Sequence, residues 1–430
     1  MGRPASCPRV ARGLTLCWLL LGIVPAHATI GIAYQMLLGN PSNASAHTNV
    51  HSHYLIQRDV EALDYNDTRR QPNWASWNLT TDDTGTSGRS PNFFADTNLP
   101  PDFYWVQPTD YSGSGYDRGH LCPSGDRTVS VALNEETFLM SNMMPQAPDN
   151  NQGVWANLET YCRTLAAAGN EVLITCGPEG FSGASTASAG QILIASNVWK
   201  IIVVVPTGSG DSPSSITTAT RVIAVNIPNL QGVRSDPWEN YLTSVNHLQT
   251  NTSFTFFTAL NANVATVLRA KVDGAPACGI TDFAPVAGNA NSTVVIDGTN
   301  FTGATTVSFN GLNASFTFNS AERITATVPL GAITGPISVI AAGGLATTKP
   351  FTVTSTGVDP PKISIARVGS YIVLAWPSSA TGFALQQTAD LNATPWTNYI
   401  GNVLDDGTTK TTTITNSPSS VFFRLIAPAA

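Results

Sequence analysis

The chain has 430 residues, 42% of them apolar and only 11% charged, with a formal net charge of -7. That length exceeds what one domain usually holds and predicts two or three cores. The acidic balance argues against a protein that grips nucleic acid through a basic surface, so a polyanionic partner has to be met by local arginines or a metal ion.

Residues 1–28 are set apart from the folded part. Arg3, Arg9 and Arg12 precede the apolar run Leu14 to Val24 and the small-residue site Ala26-His27-Ala28, the pattern of a secretory signal peptide. The run is shorter than the ~20 residues a spanning helix needs, and we expect no membrane span. Cleavage near Ala28 removes three arginines and no acid, which takes the formal charge from -7 to -10. The expected location is therefore secreted, extracellular or periplasmic. Cys7 and Cys17 leave with the peptide, so Cys122, Cys162, Cys176 and Cys278 remain, an even number suited to disulfide bonding in an oxidising compartment. The competing reading, a zinc site of His120, Cys122, Cys162 and Cys176, lacks the short ligand spacing of structural zinc.

Next comes "HTNVHSHY", whose His47, His51 and His53 include a metal-like H-x-H pair but read better as a solvated loop before the first strand. The Gly- and Ser-rich "DYSGSG" then leads into "YDRGHLCPSGDRT", where one histidine, two arginines, two aspartates and a cysteine crowd into thirteen residues. Gly and Ser predict a loop that enters a short strand with His120 near its start. About thirty residues on, "SNMMPQAPDNNQGVWANLETYCRTLAAAGN" repeats Val154, Leu158, Cys162 and Leu165 at helical spacing. Asn150 or Asn151 can cap that helix and Gly169 can end it, leaving Asn151, Glu159 and Arg163 on the polar face. Eight helical residues rise about 12 Å, too far for Asn151 and Glu159 both to bind one ion directly. Asn151 then offers the ligand oxygen and Glu159 orients metal-bound water, an arrangement that suits magnesium. "YSGSGYD" and "GFSGAS" invite a serine-nucleophile reading, but neither is a G-x-S-x-G elbow between strand and helix.

Composition shifts near residue 276: histidine disappears and Thr, Ser, Gly and Asn separate short alternating runs. Val294 and Ile296, Val307 and Phe309, Ile324, Ala326 and Val328, then Ile337 and Val339 recur with period two, the mark of half-buried strands in a β-sandwich. "STGVDPPK" forms a stiff linker, residues 356–362, and a second all-β block follows with Ile363, Ile365, Phe383 and Leu385. The middle block, residues 276–355, resembles the immunoglobulin-like IPT/TIG family. The block 363–430 looks like the β-sandwich modules that end many secreted proteins, and both blocks suit cell-surface or carbohydrate contact better than catalysis.

For residues 29–275, "DRGH", "NMMPQ" and "NNQGVWANLE" in this order resemble the DNA/RNA non-specific endonucleases, the ββα-metal nuclease family. The resemblance implies an α+β nuclease domain followed by the two all-β sandwiches, with DNA and RNA as substrates and Mg2+, or alternatively Mn2+, as cofactor. It implies that His120 is the general base and Asn151 the metal ligand. Glu159 and Asp117 then hold metal waters, Arg118 supports the site and Arg163 contacts phosphate. Arg89 of "TSGRSPNFF" matches the arginine that stabilises the transition state, with Arg69 and Arg70 of "DTRRQPNW" as rivals. With His120 and Glu159 facing one metal, Cys122 and Cys162 lie close behind the site, so the expected pairing is Cys122–Cys162 and Cys176–Cys278. One departure stands in "SVNHLQTNTSFTFF", where Gln249 and Ser253 occupy places expected to hold an acid and a glycine. The alternative function is a catalytically inactive nuclease fold kept for nucleic-acid binding or surface attachment.

Overall fold

The computed structural model describes residue 2 and residues 32–186, 191–207, 212–355, 361–380, 383–390, 396–415 and 421–426. The expected signal peptide with Ala28, apart from residue 2, and most of the linker 356–362 lie outside them. The chain divides into two compact units: Met1–Cys278 with Thr302–Thr305 and Ile340–Leu345, and the remaining C-terminal residues.

The first unit opens with a short helix, α1 (Ile32–Gln35), and its strands are β1 (Tyr54–Gln57), β2 (Ala62–Asn66), β3 (Gln71–Leu79), β4 (Asp117–His120), β5 (Met143–Gln146), β6 (Asn170–Ser185), β7 (Leu193–Pro206), β8 (Arg221–Pro228) and β9 (Leu242–Thr243). Seven of them form one sheet in the order β1-β2-β3-β6-β7-β8-β9, antiparallel throughout. Four helices follow in the same unit: α2 (Val131–Glu136), α3 (Ala156–Ala167), α4 (Val245–Thr252) and α5 (Ala262–Ala270). The run "KIIVVV" in β7 is apolar at successive positions because the sheet is covered on both faces. Ile202 packs with Leu158 and Cys162 of α3, whereas its neighbours Ile201 and Val203 pack with Leu248 of α4 and Leu268 of α5.

β4 and β5 pair apart from that sheet, with Gly119 opposite Met144 and His120 opposite Met143. His120 is thus the last residue of its strand rather than near the start, because the strand begins at Asp117. The glycine of "DRGH" has a packing reason: a Cβ there would overlap the side chain of Gln146, which lies across the strand.

The helical spacing after residue 150 is only partly α-helical. Asn150–Trp155 forms a π-helical turn, interrupted at Gly153 (φ -117°, ψ -106°), and the regular α-helix starts at Ala156. No side chain caps it, contrary to the role expected of Asn150 or Asn151. Gly153 sits against the backbone of Arg234, where a Cβ would clash, so a long-range contact sets the local register. At "SVNHLQTNTSFTFF" both departures have defined places in the fold. The Gln249 side-chain oxygen accepts the Phe256 backbone N–H at 2.9 Å. Ser253 takes the left-handed conformation (φ 62°, ψ 18°) that ends α4.

The C-terminal unit is all β. Its first sheets have four and five strands, and Phe283 and Phe309 from the two sheets meet Phe351 at 6.3 and 5.2 Å between ring centroids. The alternating residues Val294, Ile296, Val307, Phe309, Ile324, Ala326, Val328, Ile337 and Val339 are all buried in this sandwich. A further pair of sheets, of four and three strands, encloses Leu374, Trp376 and Leu385. Ile365 departs from its expected half-buried place: it lies on an edge strand and is 68% exposed.

The expected disulfides do not form. All four cysteines are free. Cys122, Cys162 and Cys176 are buried in one core cluster, each as a free thiol. The Cys122 and Cys176 thiols are directed at the carbonyls of Val60 and Leu121, each at 3.7 Å. Cys278 lies outside that cluster, half-buried, with its thiol 3.0 Å from the Gly344 carbonyl, which separates it from the Cys176 it was expected to meet.

Candidate active site

A cleft of about 420 Å³ opens where the end of β4, the turn after it, the loop near residue 89 and the start of α3 converge. Its lining includes His120, Arg89, Arg118, Asn151, Glu159 and Arg163. Six of the residues singled out from the sequence thus share one cavity, although they span 75 positions from Arg89 to Arg163 counted inclusively. Asp117, the seventh, reaches the cleft through Asn151, whose amide nitrogen donates to its carboxylate at 2.9 Å. Gln152 donates to the same oxygen at 2.8 Å.

His120 is 8% exposed and packed between rings, with Phe138 edge-on at 4.9 Å and Phe93 at 5.6 Å. Burial, aided by the positive charge of Arg89, pushes its pKa down to about 3, well below the ordinary value expected from sequence. The imidazole is therefore neutral across the physiological range, and its Nε2 makes no hydrogen bond to a described residue. Glu159 moves the other way. Burial raises its carboxyl to about 7, opposed first by the charge of Lys200 and then by Arg163 and Arg89, while Asp126 adds to the rise.

The arginines hold different partners. Arg89 donates to the Ser124 hydroxyl at 2.6 Å and lies 4.7 Å over the Phe138 ring, while Arg118 lies 4.3 Å over Phe93. Arg163 donates to the buried Asp126 at 2.9 Å and to Thr160 at 3.0 Å, so its guanidinium is anchored as well as exposed to the cleft. The rival arginines lie elsewhere. Arg69 bonds Asn73 and stacks on Phe181, Arg70 lies over Tyr104, and neither lines this cleft.

Sequence spacing did not single out Ser124, Asn134 or Lys200. Lys200 is 1% exposed, with its ammonium 4.1 Å from the Trp155 ring and 5.6 Å from Trp77. Its one signal is a lysine amid the apolar residues of β7; nothing in the local pattern reveals that its charge acts on Glu159 of a distant helix.

The donor set suits a hydrated hard cation. Asn151 has its nitrogen engaged by Asp117, which leaves its oxygen as the remaining polar atom of the amide, and Glu159 supplies a carboxylate in the same cleft. Among the described residues no group of three or more His, Cys, Asp or Glu side chains could hold a metal, which removes the zinc reading and the H-x-H reading together. In the latter stretch His51 instead contacts Asp67 at 3.0 Å and Asp102 at 3.3 Å, and His53 contacts Asp64 at 2.8 Å.

Comparison with known proteins decides the class of this site. The family model for the DNA/RNA non-specific endonuclease matches residues 39–263. The chain belongs to that family. An IPT/TIG domain matches residues 279–355, so a nuclease domain, of a family that depends on divalent metals, is followed in the chain by an immunoglobulin-like domain. A nuclease of Nostoc sp. strain PCC 7120 is 41% identical over 267 residues, which cover 59% of this chain and 94% of that protein. Nuclease C1 of Cunninghamella echinulata is 28% identical over 49% of this chain and 84% of its own length. The mitochondrial nuclease EXOG of Danio rerio is 30% identical over 46% of this chain and 59% of its own. Among solved structures, the EndoG/EndoGI complex aligns with a TM-score of 0.44 at 24% identity, covering 53% of this chain and 91% of the matched one. No described helix is long and apolar enough to cross a membrane.

Proposed function

We propose that the protein is an exported, magnesium-dependent endonuclease that hydrolyses phosphodiester bonds in both DNA and RNA, with His120 as general base. The observation that carries this reading is the single cleft lined by His120, Arg89, Asn151 and Glu159. Export rests on the pattern of residues 1–28. A catalytically silent relative would have no need to keep the base, the metal-side amide and the arginine in one cavity, so the arrangement favours an active enzyme.

His120 is held neutral by burial and its Nε2 makes no hydrogen bond to a described residue, so that nitrogen is open to an attacking water, although burial also weakens it as a base. An anionic phosphate arriving in the cleft raises the imidazole's proton affinity as the reaction proceeds. Arg89, fixed by Ser124 and the Phe138 face, offers its guanidinium to the charge that develops on the phosphoryl oxygens. Asn151, oriented by Asp117, would hold the divalent ion and Glu159 the water around it; the ion when bound would stabilise negative charge on the phosphate and leaving oxygen. Arg118 and Arg163 line the same cleft and orient the strand through its phosphates.

The test is incubation of the secreted protein with plasmid DNA and with RNA, with magnesium and with chelator. Cleavage of both substrates that stops on chelation is expected. His120→Ala is expected to abolish turnover while retaining fold and substrate binding; near-full activity of that variant at neutral pH would refute the base.

A further inference from the structure

We propose that Asn134 is a positioning residue of the catalytic cleft, acting through Ser124 to hold the Arg89 guanidinium. This rests on the role given to Arg89 above. Neither Arg89 nor its partner lies in a long regular element: Arg89 belongs to the irregular stretch before residue 92, and Ser124 begins a short 3-10 turn after β4. A flexible arginine on a loop loses side-chain entropy each time it must meet a phosphate, unless the protein has fixed it beforehand.

Asn134 supplies that constraint with both ends of one amide. Its side-chain oxygen accepts the Ser90 backbone N–H at 2.9 Å, next to Arg89 in the chain. Its side-chain nitrogen donates to the Ser124 carbonyl at 2.8 Å. Ser124 in turn accepts Arg89 Nη1 on its hydroxyl at 2.6 Å. The two segments that must stay in register for the Arg89–Ser124 contact are thus pinned by a single side chain that is 1% exposed. It belongs to α2, capped by the Ser130 hydroxyl, and Phe138 just beyond the helix carries Arg89 on its face and His120 against its edge. α2 therefore places the arginine relative to the base: Asn134 borders the same cleft, but both ends of its amide are engaged by Ser90 and Ser124.

Turnover of a fixed-sequence fluorogenic oligonucleotide, read as separate kcat and KM in a double-mutant cycle with Arg89→Ala, tests the assignment. Ser124→Ala and Asn134→Ala are each expected to lower kcat about tenfold, with KM within about twofold and the pH profile unmoved. In the Arg89→Ala background each is expected to cost less than about twofold, because the group they position is already gone. Ser124→Thr, which keeps the hydroxyl, restores at least about half of the lost kcat. Asn134→Asp, nearly isosteric, keeps the acceptor for Ser90 and loses the donor to Ser124; it provides the same cycle if Asn134→Ala does not fold. A full tenfold loss on top of Arg89→Ala overturns the positioning role while leaving Arg89 catalytic. If Arg89→Ala itself retains kcat, the role of Arg89 fails and the clamp falls with it.

Discussion

His120 and Glu159 share one cleft yet are displaced in opposite directions, the imidazole to about 3 and the carboxyl to about 7. Burial causes both, because it disfavours whichever form is charged: the imidazolium in one case, the carboxylate in the other. The consequence for pH dependence is specific. Falling pH does not protonate His120 until far into acid, so a loss of activity near neutrality has to come from another group. On the proposed role Glu159 is the candidate, because an ionised carboxylate would hold water around a cation and a bound cation would favour loss of its proton. At limiting magnesium, kcat/KM is therefore expected to fall as pH drops through about 7, the value for Glu159. At saturating magnesium the same limb is expected to move to lower pH. Profiles recorded at two magnesium concentrations check this, and a limb that stays fixed would detach Glu159 from the metal.

At the scale of elements, α4 ends on a residue that pays for its conformation. Ser253 adopts φ 62° and donates its N–H to the Gln249 carbonyl at 2.9 Å. A side chain other than glycine is disfavoured there by about 1 kcal/mol. Ser253→Gly is expected to stabilise the first unit by ~0.5 kcal/mol, the greater freedom of glycine in the unfolded chain offsetting part of the gain. A denaturant titration measures it, and a lower midpoint with an unchanged slope would contradict it. Other elements show where sequence reading stops. Period-two strands such as Val294–Ile296 and the apolar stripe Val154, Leu158, Cys162 were legible because local spacing alone assigns their buried face. The residues of the cleft were legible as three short stretches, around Arg89, Asp117–His120 and Asn151–Arg163, whose charged and polar side chains the fold brings together. The π-helical turn was not, because Gly153 is shaped by Arg234, eighty-one positions away. The cysteines misled for a related reason: an even count says nothing about side-chain direction, and Cys122 and Cys176 aim at carbonyls. Nor does the sequence reveal that Lys200 lies under Trp155 or that Asn134 joins two loops, since each is a single polar residue whose partners come from elsewhere.

Across the whole molecule, the boundary near residue 275 separates composition more cleanly than it separates packing. Every residue lining the cleft lies between Arg89 and Arg163, so none of them comes from beyond residue 275. The first unit nevertheless takes in Ile340–Leu345. Ile340 packs against Val267 and Ala270 of α5, each 3% exposed, and the Val272 N–H donates to the Ala342 carbonyl at 3.0 Å. A protein ending at Gly274 loses that cover and leaves Val267 facing water. Uncovering one such side chain costs about 1–2 kcal/mol, a sizeable part of the few kcal/mol that hold a domain folded. The truncated protein is therefore expected to cut plasmid DNA with the kcat of the full chain while melting several degrees lower. Val267→Thr in the truncation is expected to recover solubility but not the melting temperature, because it removes apolar exposure without replacing Ile340. Activity assays beside thermal melts of the full and shortened proteins decide the matter. A shortened protein that melts normally but has lost turnover would place part of the catalytic apparatus downstream of Gly274, against the geometry of the cleft.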